Sequence, residues 1–279
     1  MSAAAIDATG ARVALTTPPR RIVSLVPSLT EALFATGAGP RVVAVTRYCE
    51  EPAGEVATLP KVGGTKNPDI AAILALDPDL IVASSEENRE EDVHALRAAG
   101  VPVFVTHYPT VRAALEGIVE LIALVGGTVE IAARWRDEAK RMLDVLQAQH
   151  QRPVRYFCPI WRRPYMVARR DTYMADLLAL AGGESVVPGD GPLHYNAVDL
   201  AEAMAARPEV VLLPSEPYPF SARHLRDFAP FTDVPAERCC TIVLCDGKLL
   251  TWYGPRTPRA LAYFGGLFAR ARANMPLGS

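Results

Sequence analysis

Seven aromatic residues in the second half of the chain, Trp161, Tyr165, Tyr195, Tyr218, Phe220, Trp252 and Tyr253, fall in loops or where an apolar run gives way to a loop. Trp and Tyr present broad rigid faces with few rotatable bonds, so such a set can hold a flat or macrocyclic ligand at small entropic cost. Each of them alone could equally pack on its own domain. Glu86 and Glu87 follow one apolar run and Glu216 follows another. These carboxylates can accept hydrogen bonds from ligand amides or pair with arginines, although Glu87 and Glu90 suit the start of a helix equally well, where the dipole favours negative charge. The stretch from Trp161 to Met166, with Arg169 and Arg170, is basic; it either holds an anionic ligand or forms a solvated hairpin edge.

Other chemistries lack their residues. His107 and His194 stand apart from one another with no HxH, HExxH or clustered carboxylates, so no bare-metal site is expected. Gly63-Gly64-Thr65-Lys66 does not have phosphate-loop spacing, there is no GxSxG elbow, and no nucleophile and base are paired, so no catalytic residue is assigned and the expectation is binding, not catalysis. The five cysteines are an odd number without CxxC spacing, and those between Cys239 and Cys245 read as small hydrophobes in a buried strand. A formal charge of −2 gives no electrostatic pull toward nucleic acid. No run of 18 apolar residues occurs, and Met1 to Pro19 lacks the basic and apolar regions of an export signal. The expected compartment is therefore the cytoplasm for the sequence as written, or the periplasm if it is the mature form of an exported chain; a monomer is expected.

Several elements must position these groups. Strands are predicted at Arg21–Val26, Arg41–Thr46, Leu80–Ser84 and Val101–Thr106, with helices between, which is the pattern of a parallel sheet covered by helices. Ser28 with Glu31 reads as a capping box, Asn67-Pro68 as a helix start, and Asp199 with Glu202 as another. A long helix from Gly127 to about Gln149 carries Ile131, Trp135, Met142 and Leu146 along one side, with Trp135 expected in the core. A second series follows, with strands near Val154–Ile160, Val210–Pro214 and Thr241–Cys245 and helices near Thr172–Ala181, Leu200–Ala206, Ala222–Phe228 and Thr257–Arg272. The fold class expected is α/β: two Rossmann-like lobes, 1–126 and 152–279, joined by a single long α-helix over 127–151, with a ligand cleft between the lobes at the carboxyl ends of the strands.

The lobes read as duplicates. Asp69–Glu86 laid over Asp199–Glu216 at a constant offset of 130 gives six identities, including Asp69/Asp199, Pro78/Pro208 and Ser85-Glu86/Ser215-Glu216. Each lobe then presents an acidic tip at the same topological place.

RIVSLVPSLTEALFATG at 21–37, KVGGTKNPDIAAILALDPDLIVAS at 61–84, the central helix, and LLALAGGESVV at 177–187 together resemble the helical-backbone (class III) substrate-binding proteins of ABC importers, which take up cobalamin, siderophores and haem. The resemblance runs from Arg21 to Arg272 and is nearest to the cobalamin-binding branch. It implies a receptor that binds a corrinoid, cobalamin or a relative, without a covalently bound cofactor, for ABC-type uptake. The alternatives are a ferric siderophore or haem receptor, favoured if Arg162, Arg163, Arg169 and Arg256 converge on the ligand, or a cytoplasmic corrinoid-handling or sensing protein with no transporter. Tyr195, Trp252 and Tyr253 fall where the branch has aromatic ligand contacts, and two further aromatic positions of the family are Val62 and Ser84 here. The residues expected to bind ligand are Ser28, Glu86, Asn88, Trp161, Tyr195, Glu216, Phe220, Trp252 and Tyr253. The family docks to its permease through one acidic residue on each lobe; Glu184 matches the second-lobe position, and at the first Ala57 stands with Glu55 two residues away.

Overall fold

The structure, a computed structural model, describes residues 3–149, 151–187, 195–231 and 242–273. The chain divides into two compact units. Unit 1 comprises Met1–Tyr108, Arg112–Asp137 and Tyr253–Pro255, and unit 2 comprises Pro109–Val111, Glu138–Trp252 and Arg256–Ser279. The expected long helix forms as Val129–Ala148 and contributes residues to both units. Its Trp135 is half-buried, not fully in the core, and lies near Gly254 of unit 1.

Unit 1 is built on four parallel strands in the order β4-β3-β5-β6: β3 (Ile22–Ser24), β4 (Val42–Val45), β5 (Leu80–Ser84) and β6 (Val103–Thr106). Val23, Ile81, Ala83, Val103 and Val105 pack on one face with Ile73, Val93 and Leu96 from the helices, while the intervening Ile22, Leu80, Val82 and Phe104 are buried on the other. Burial on both faces is why these strands read as unbroken apolar runs. An N-terminal hairpin, β1 (Ala3–Ile6) and β2 (Arg12–Leu15), was not foreseen.

Unit 2 repeats the plan in the order β9-β7-β11-β12: β7 (Val154–Phe157), β9 (Gly183–Ser185), β11 (Val210–Pro214) and β12 (Ile242–Cys245), all parallel. A small antiparallel pair, β8 (Tyr165–Ala168) with β10 (Tyr195–Val198), lies beside it. Its core gathers Phe157, Val167, Met204, Leu213, Phe220 and Phe228.

The duplication read at an offset of 130 is present in the backbone. Helices Ile70–Ala75 and Leu200–Ala205 match residue for residue, as do β5 and β11. Asp69 accepts the Ala72 amide at 2.9 Å, and Asp199 accepts those of Ala201 and Glu202 at 2.7 and 3.1 Å. Asp77 (φ 46°) and Arg207 (φ 56°) both take the left-handed conformation that turns each helix toward its strand. Asp79 binds the amides of Arg20 and Arg21 ahead of β3, and Glu209 binds the amide of Arg155 in β7.

Three local readings are corrected. Ser28 and Glu31 form no capping box, because the helix Pro27–Ala35 begins at Pro27 with Val26 as its N-cap and Ser28 is already inside the first turn. Asn67-Pro68 does not start a helix; Asp69 is the N-cap. The helix expected near Ala222–Phe228 forms as the 3₁₀ helix Ala222–Asp227, and its capping box pairs Ser221 with His224. The strand ending at Cys245 is, among the described residues, the edge of its sheet and only partly buried, with Leu244 43 % exposed and Cys245 buried. Cys49, Cys158 and Cys245 are buried free thiols, and Cys239, Cys240 and His194 lie outside the described residues.

Candidate ligand-binding site

Parallel α/β sheets offer their binding surface at the carboxyl ends of the strands, where loops replace the hydrogen-bonded ladder and helices begin. In unit 1 those ends bring together Ser85, Glu86 and His107. Ser85 Oγ is 3.1 Å from His107 Nδ1, and a Glu86 carboxylate oxygen is 3.8 Å from the same nitrogen. Lys66 Nζ donates to the Glu86 carbonyl at 2.8 Å, closing the loop from the other side. Asn88, expected to reach ligand, is buried and engaged within the loop: its Oδ1 accepts the Ser84 amide at 2.8 Å and its Nδ2 donates to the Thr65 carbonyl at 2.9 Å.

Ser28 and Tyr253 are buried as well. Tyr253 meets Tyr108 edge to face with ring centres 5.2 Å apart. Burial pushes its phenol well above the ordinary range, Glu87 and Glu86 add to that, and Ser28 and Thr106 beside it act in the opposite sense. Among the described residues the Ser28 hydroxyl itself has no hydrogen-bond partner of normal geometry. Tyr108 can sit against helix Val111–Val125 because position 117 is glycine; a Cβ there would stand 2.2 Å from the Tyr108 ring. Tyr48, half exposed with Arg47 stacked 5.2 Å above it, is the large aromatic that unit 1 leaves open near its strand ends.

In unit 2 the corresponding ends hold Ser215, Glu216, Thr251 and Trp252. Glu216 is half-buried and accepts from Thr251 Oγ1 at 3.2 Å, with Trp252 a further donor. Burial raises its pKa above the usual carboxylate value, and the Thr251 bond, the charge of Lys248 and the indole reduce that rise. Trp252, expected to cover the ligand, is only 6 % exposed because Lys248 (5.0 Å) and Arg256 (5.2 Å) stack on its ring. Phe220 is likewise core: it stacks on Tyr165 at 6.5 Å and packs with Tyr218 and His224.

Two of the expected aromatics are exposed. Trp161 is 44 % exposed and held edge-on by Tyr218 at 5.6 Å, and Tyr195, at the start of β10, is 45 % exposed. What steadies Trp161 escaped the sequence reading. Arg162 beside it makes a two-pronged bond to Asp227 at 2.7 and 3.1 Å, and Tyr165 donates to the same carboxylate at 2.7 Å. The Arg162 bonds hold Asp227 below its ordinary pKa despite burial. Asp227 lies 65 residues from Arg162, and no local pattern announces the pair. Arg169 is bound to Asp171 at 2.9 and 2.8 Å. Three of the four arginines that could have met an anionic ligand are therefore engaged: Arg162 and Arg169 with aspartates and Arg256 with Trp252, leaving Arg163 exposed.

The two expected docking carboxylates are exposed, Glu184 in β9 and Glu55 in the short helix Ala53–Val56. Among the described residues no three His, Cys, Asp or Glu side chains are grouped to hold a metal ion, and no helix is long and apolar enough to cross a membrane.

The chain matches the periplasmic binding protein family over residues 22–217, more than half its length. It is 26 % identical over 196 residues to the vitamin B12-binding protein of Vibrio cholerae, covering 70 % of each chain. Among solved structures, the periplasmic vitamin B12 binding protein of Vibrio cholerae superposes with a TM-score of 0.81 at 22 % identity over 91 % of this chain and 98 % of that one. The periplasmic heme-binding protein of Roseiflexus sp. RS-1 superposes with a TM-score of 0.78 at 26 % identity over 90 % and 98 %.

Proposed function

Because the chain belongs to the periplasmic binding protein family, solute-binding proteins rather than enzymes, we propose that it binds a corrinoid, cobalamin or a relative, for ABC-type uptake. The observation that carries this reading is the pairing of open aromatic faces with carboxylates in a setting where most of the nearby arginines are already engaged. Trp161, Tyr195 and Tyr48 are large exposed rings. Glu86, at a strand end of unit 1, is an acceptor suited to ligand amides, while Glu216 at the matched place in unit 2 already accepts from Thr251 and Trp252. Arg162 and Arg169 are paired with Asp227 and Asp171, and Arg256 stacks on Trp252, so two of these four arginines are neutralised and a third is oriented by an indole. An amide-rimmed, largely neutral macrocycle fits that balance better than an anionic one.

Within unit 1 the candidate ligand contacts are Tyr48 and Glu86, and within unit 2 they are Trp161 and Tyr195. Ser28, Asn88 and Tyr253 are buried within unit 1, and Phe220 and Trp252 within unit 2. Glu184 and Glu55 are the carboxylates that would meet a permease, in the periplasm. Titration with hydroxocobalamin, cobinamide, ferric haem and a ferric siderophore, followed by Trp fluorescence, tests the proposal. Corrinoid binding is expected to weaken about tenfold or more in Trp161→Ala, an anchor loss of at least about 1.4 kcal/mol. Binding of haem or the siderophore in preference to both corrinoids would replace the corrinoid with that ligand, and binding of none would overturn the receptor reading.

A further inference from the structure

We propose that His224 is a positioning residue for Trp161, steadying the indole only while its imidazole is neutral, so that ligand is held more weakly in acid than at neutral pH. The inference rests on the receptor reading above, which makes Trp161 a ligand anchor, and adds a pH control to it.

Ser221-Ala222-Arg223-His224 has the spacing of a capping box, in which the fourth residue returns a side-chain acceptor to the backbone amide of the first. Glutamate or glutamine ordinarily fills that place, whereas here a base that titrates near neutrality does. His224 is 3 % exposed, and its Nδ1 accepts the Ser221 amide at 2.9 Å. The hydrogen of a backbone amide is fixed in direction, so the lone pair lies on Nδ1 and the proton of the neutral ring on Nε2. Nε2 is 3.3 Å from the Tyr218 oxygen and 3.2 Å from Nε of Arg223, an exposed residue. A second proton has one place to go, Nδ1, where it points at the Ser221 amide and breaks the cap.

The surroundings oppose that second proton. Among the described residues, the charged and titratable groups that face His224 are Arg223 and Asp227 on its own helix, Tyr218 on the loop after β11, and Arg162 between β7 and β8. Burial and the charges of Arg223 and Arg162 push the imidazole below the usual histidine value, while Asp227 and the Ser221 backbone act in the opposite sense. The ring is therefore neutral at pH 7 and charges only as pH falls below the ordinary histidine range.

Two paths run from the ring to Trp161. Tyr218, with its ring centre 5.4 Å from that of the imidazole, meets the indole edge-on at 5.6 Å. Asp227 ends the helix that His224 caps, and it binds Arg162, the neighbour of Trp161 in the chain. At the offset of 130 the matching residue of unit 1 is His94, which is exposed within helix Glu90–Ala98 and lies 3.6 Å from Glu90. Standing inside a helix and not at its start, it has no cap to break.

The ligand-free test follows the tryptophan emission of the whole chain from pH 7.5 to 5. The expected result is a one-proton step that is lost in Trp161→Phe and in His224→Gln, since glutamine supplies a capping-box acceptor that does not titrate. Imidazole nitrogen-15 NMR of wild type at pH 7.5, with the ring assigned through its contact with the Ser221 amide, should show His224 protonated on Nε2 alone. Hydroxocobalamin, cobinamide, ferric haem and a ferric siderophore are the ligand probes. Whichever binds at pH 7.5 should lose about tenfold more affinity by pH 5 for wild type than for His224→Gln. A proton on Nδ1 at pH 7.5, an emission step that survives in His224→Gln, or equal pH dependence of affinity in the two proteins overturns this inference and leaves the receptor reading standing. No binding of any probe at pH 7.5 overturns both.

Discussion

The two units are alike where their strands begin and different where they end. At the amino ends, each sheet has an aspartate-capped six-residue helix, a left-handed residue, and a carboxylate that binds amides at the start of the first strand: Asp69, Asp77 and Asp79 in unit 1, Asp199, Arg207 and Glu209 in unit 2. At the carboxyl ends, Ser85 and Glu86 face an open imidazole, whereas Ser215 and Glu216 are tied into a helix start. The edges also diverge. In unit 1 the outer side of β6 is covered by the hairpin: Ala8 donates to the Val105 carbonyl at 2.8 Å and Val105 donates to Asp7 at 3.1 Å. In unit 2 the equivalent β12 leaves Leu244 exposed. A repeated scaffold thus keeps its backbone-satisfying groups, while the ends free of that duty are where one copy can acquire a role the other lacks.

The largest test of that contrast is Asp7→Ala. The buried carboxylate also accepts from Thr9 and Ala11 and is ion-paired with Arg97, so its loss should cost about 4 kcal/mol in urea unfolding by leaving several donors unpaired. Glu209→Ala should cost about 3 kcal/mol, because Glu209 is buried with both prongs of Arg152 and the Arg155 amide. Its counterpart Asp79→Ala, at an exposed position, should cost about 1 kcal/mol. Equal losses at 79 and 209 would break the comparison of burial between the copies.

Gly247→Ala should cost about 2 kcal/mol, since the new Cβ would stand 2.5 Å from the Glu216 backbone nitrogen. The pH response sharpens the same contrast. For Asp7 and Glu209 burial alone would raise the pKa, but hydrogen bonds from Thr9, Val105 and Ala11 to the one, and from Arg152 and Arg155 to the other, outweigh it. Their folded pKa values lie below the unfolded ones, so their stabilisation is present above about pH 4 and is lost as pH falls through the folded values. Glu216 is raised and has the opposite sign: its ionisation disfavours the fold as pH rises through its folded value. A thermal melt of Glu216→Gln should match or exceed wild type at pH 7 and gain nothing at pH 4. Smallest, the caps Asp69→Ala and Asp199→Ala should each cost about 1 kcal/mol, and near-equal values are the signature of a repeated helix start.

Much of this architecture was readable from residue order. β5 and β11 lie where the apolar runs place them, and the repeat at 130 carried its caps and turns with it, because each of those features is settled by neighbours within a few residues. The capping box at Ser28 misled, because Pro27 can occupy the first helical position and moves the cap back to Val26. Asn88, Phe220, Trp252 and Tyr253 have the chemistry of ligand contacts, yet the fold gives each a partner distant in sequence: the Thr65 carbonyl, Tyr165, Glu216 and Tyr108.

Residue types and spacing by themselves determined two α/β halves, a long helix shared between them, and the matched acidic tips, since periodicity and caps are local. Which polar and aromatic groups remain open was decided only by tertiary structure. Asp227 must come 65 residues to hold Arg162 and steady Trp161, and β6 must pair with β5 before His107 meets Ser85 and Glu86. Availability to a ligand depends on which long-range partners a side chain finds, and local sequence does not encode those partners.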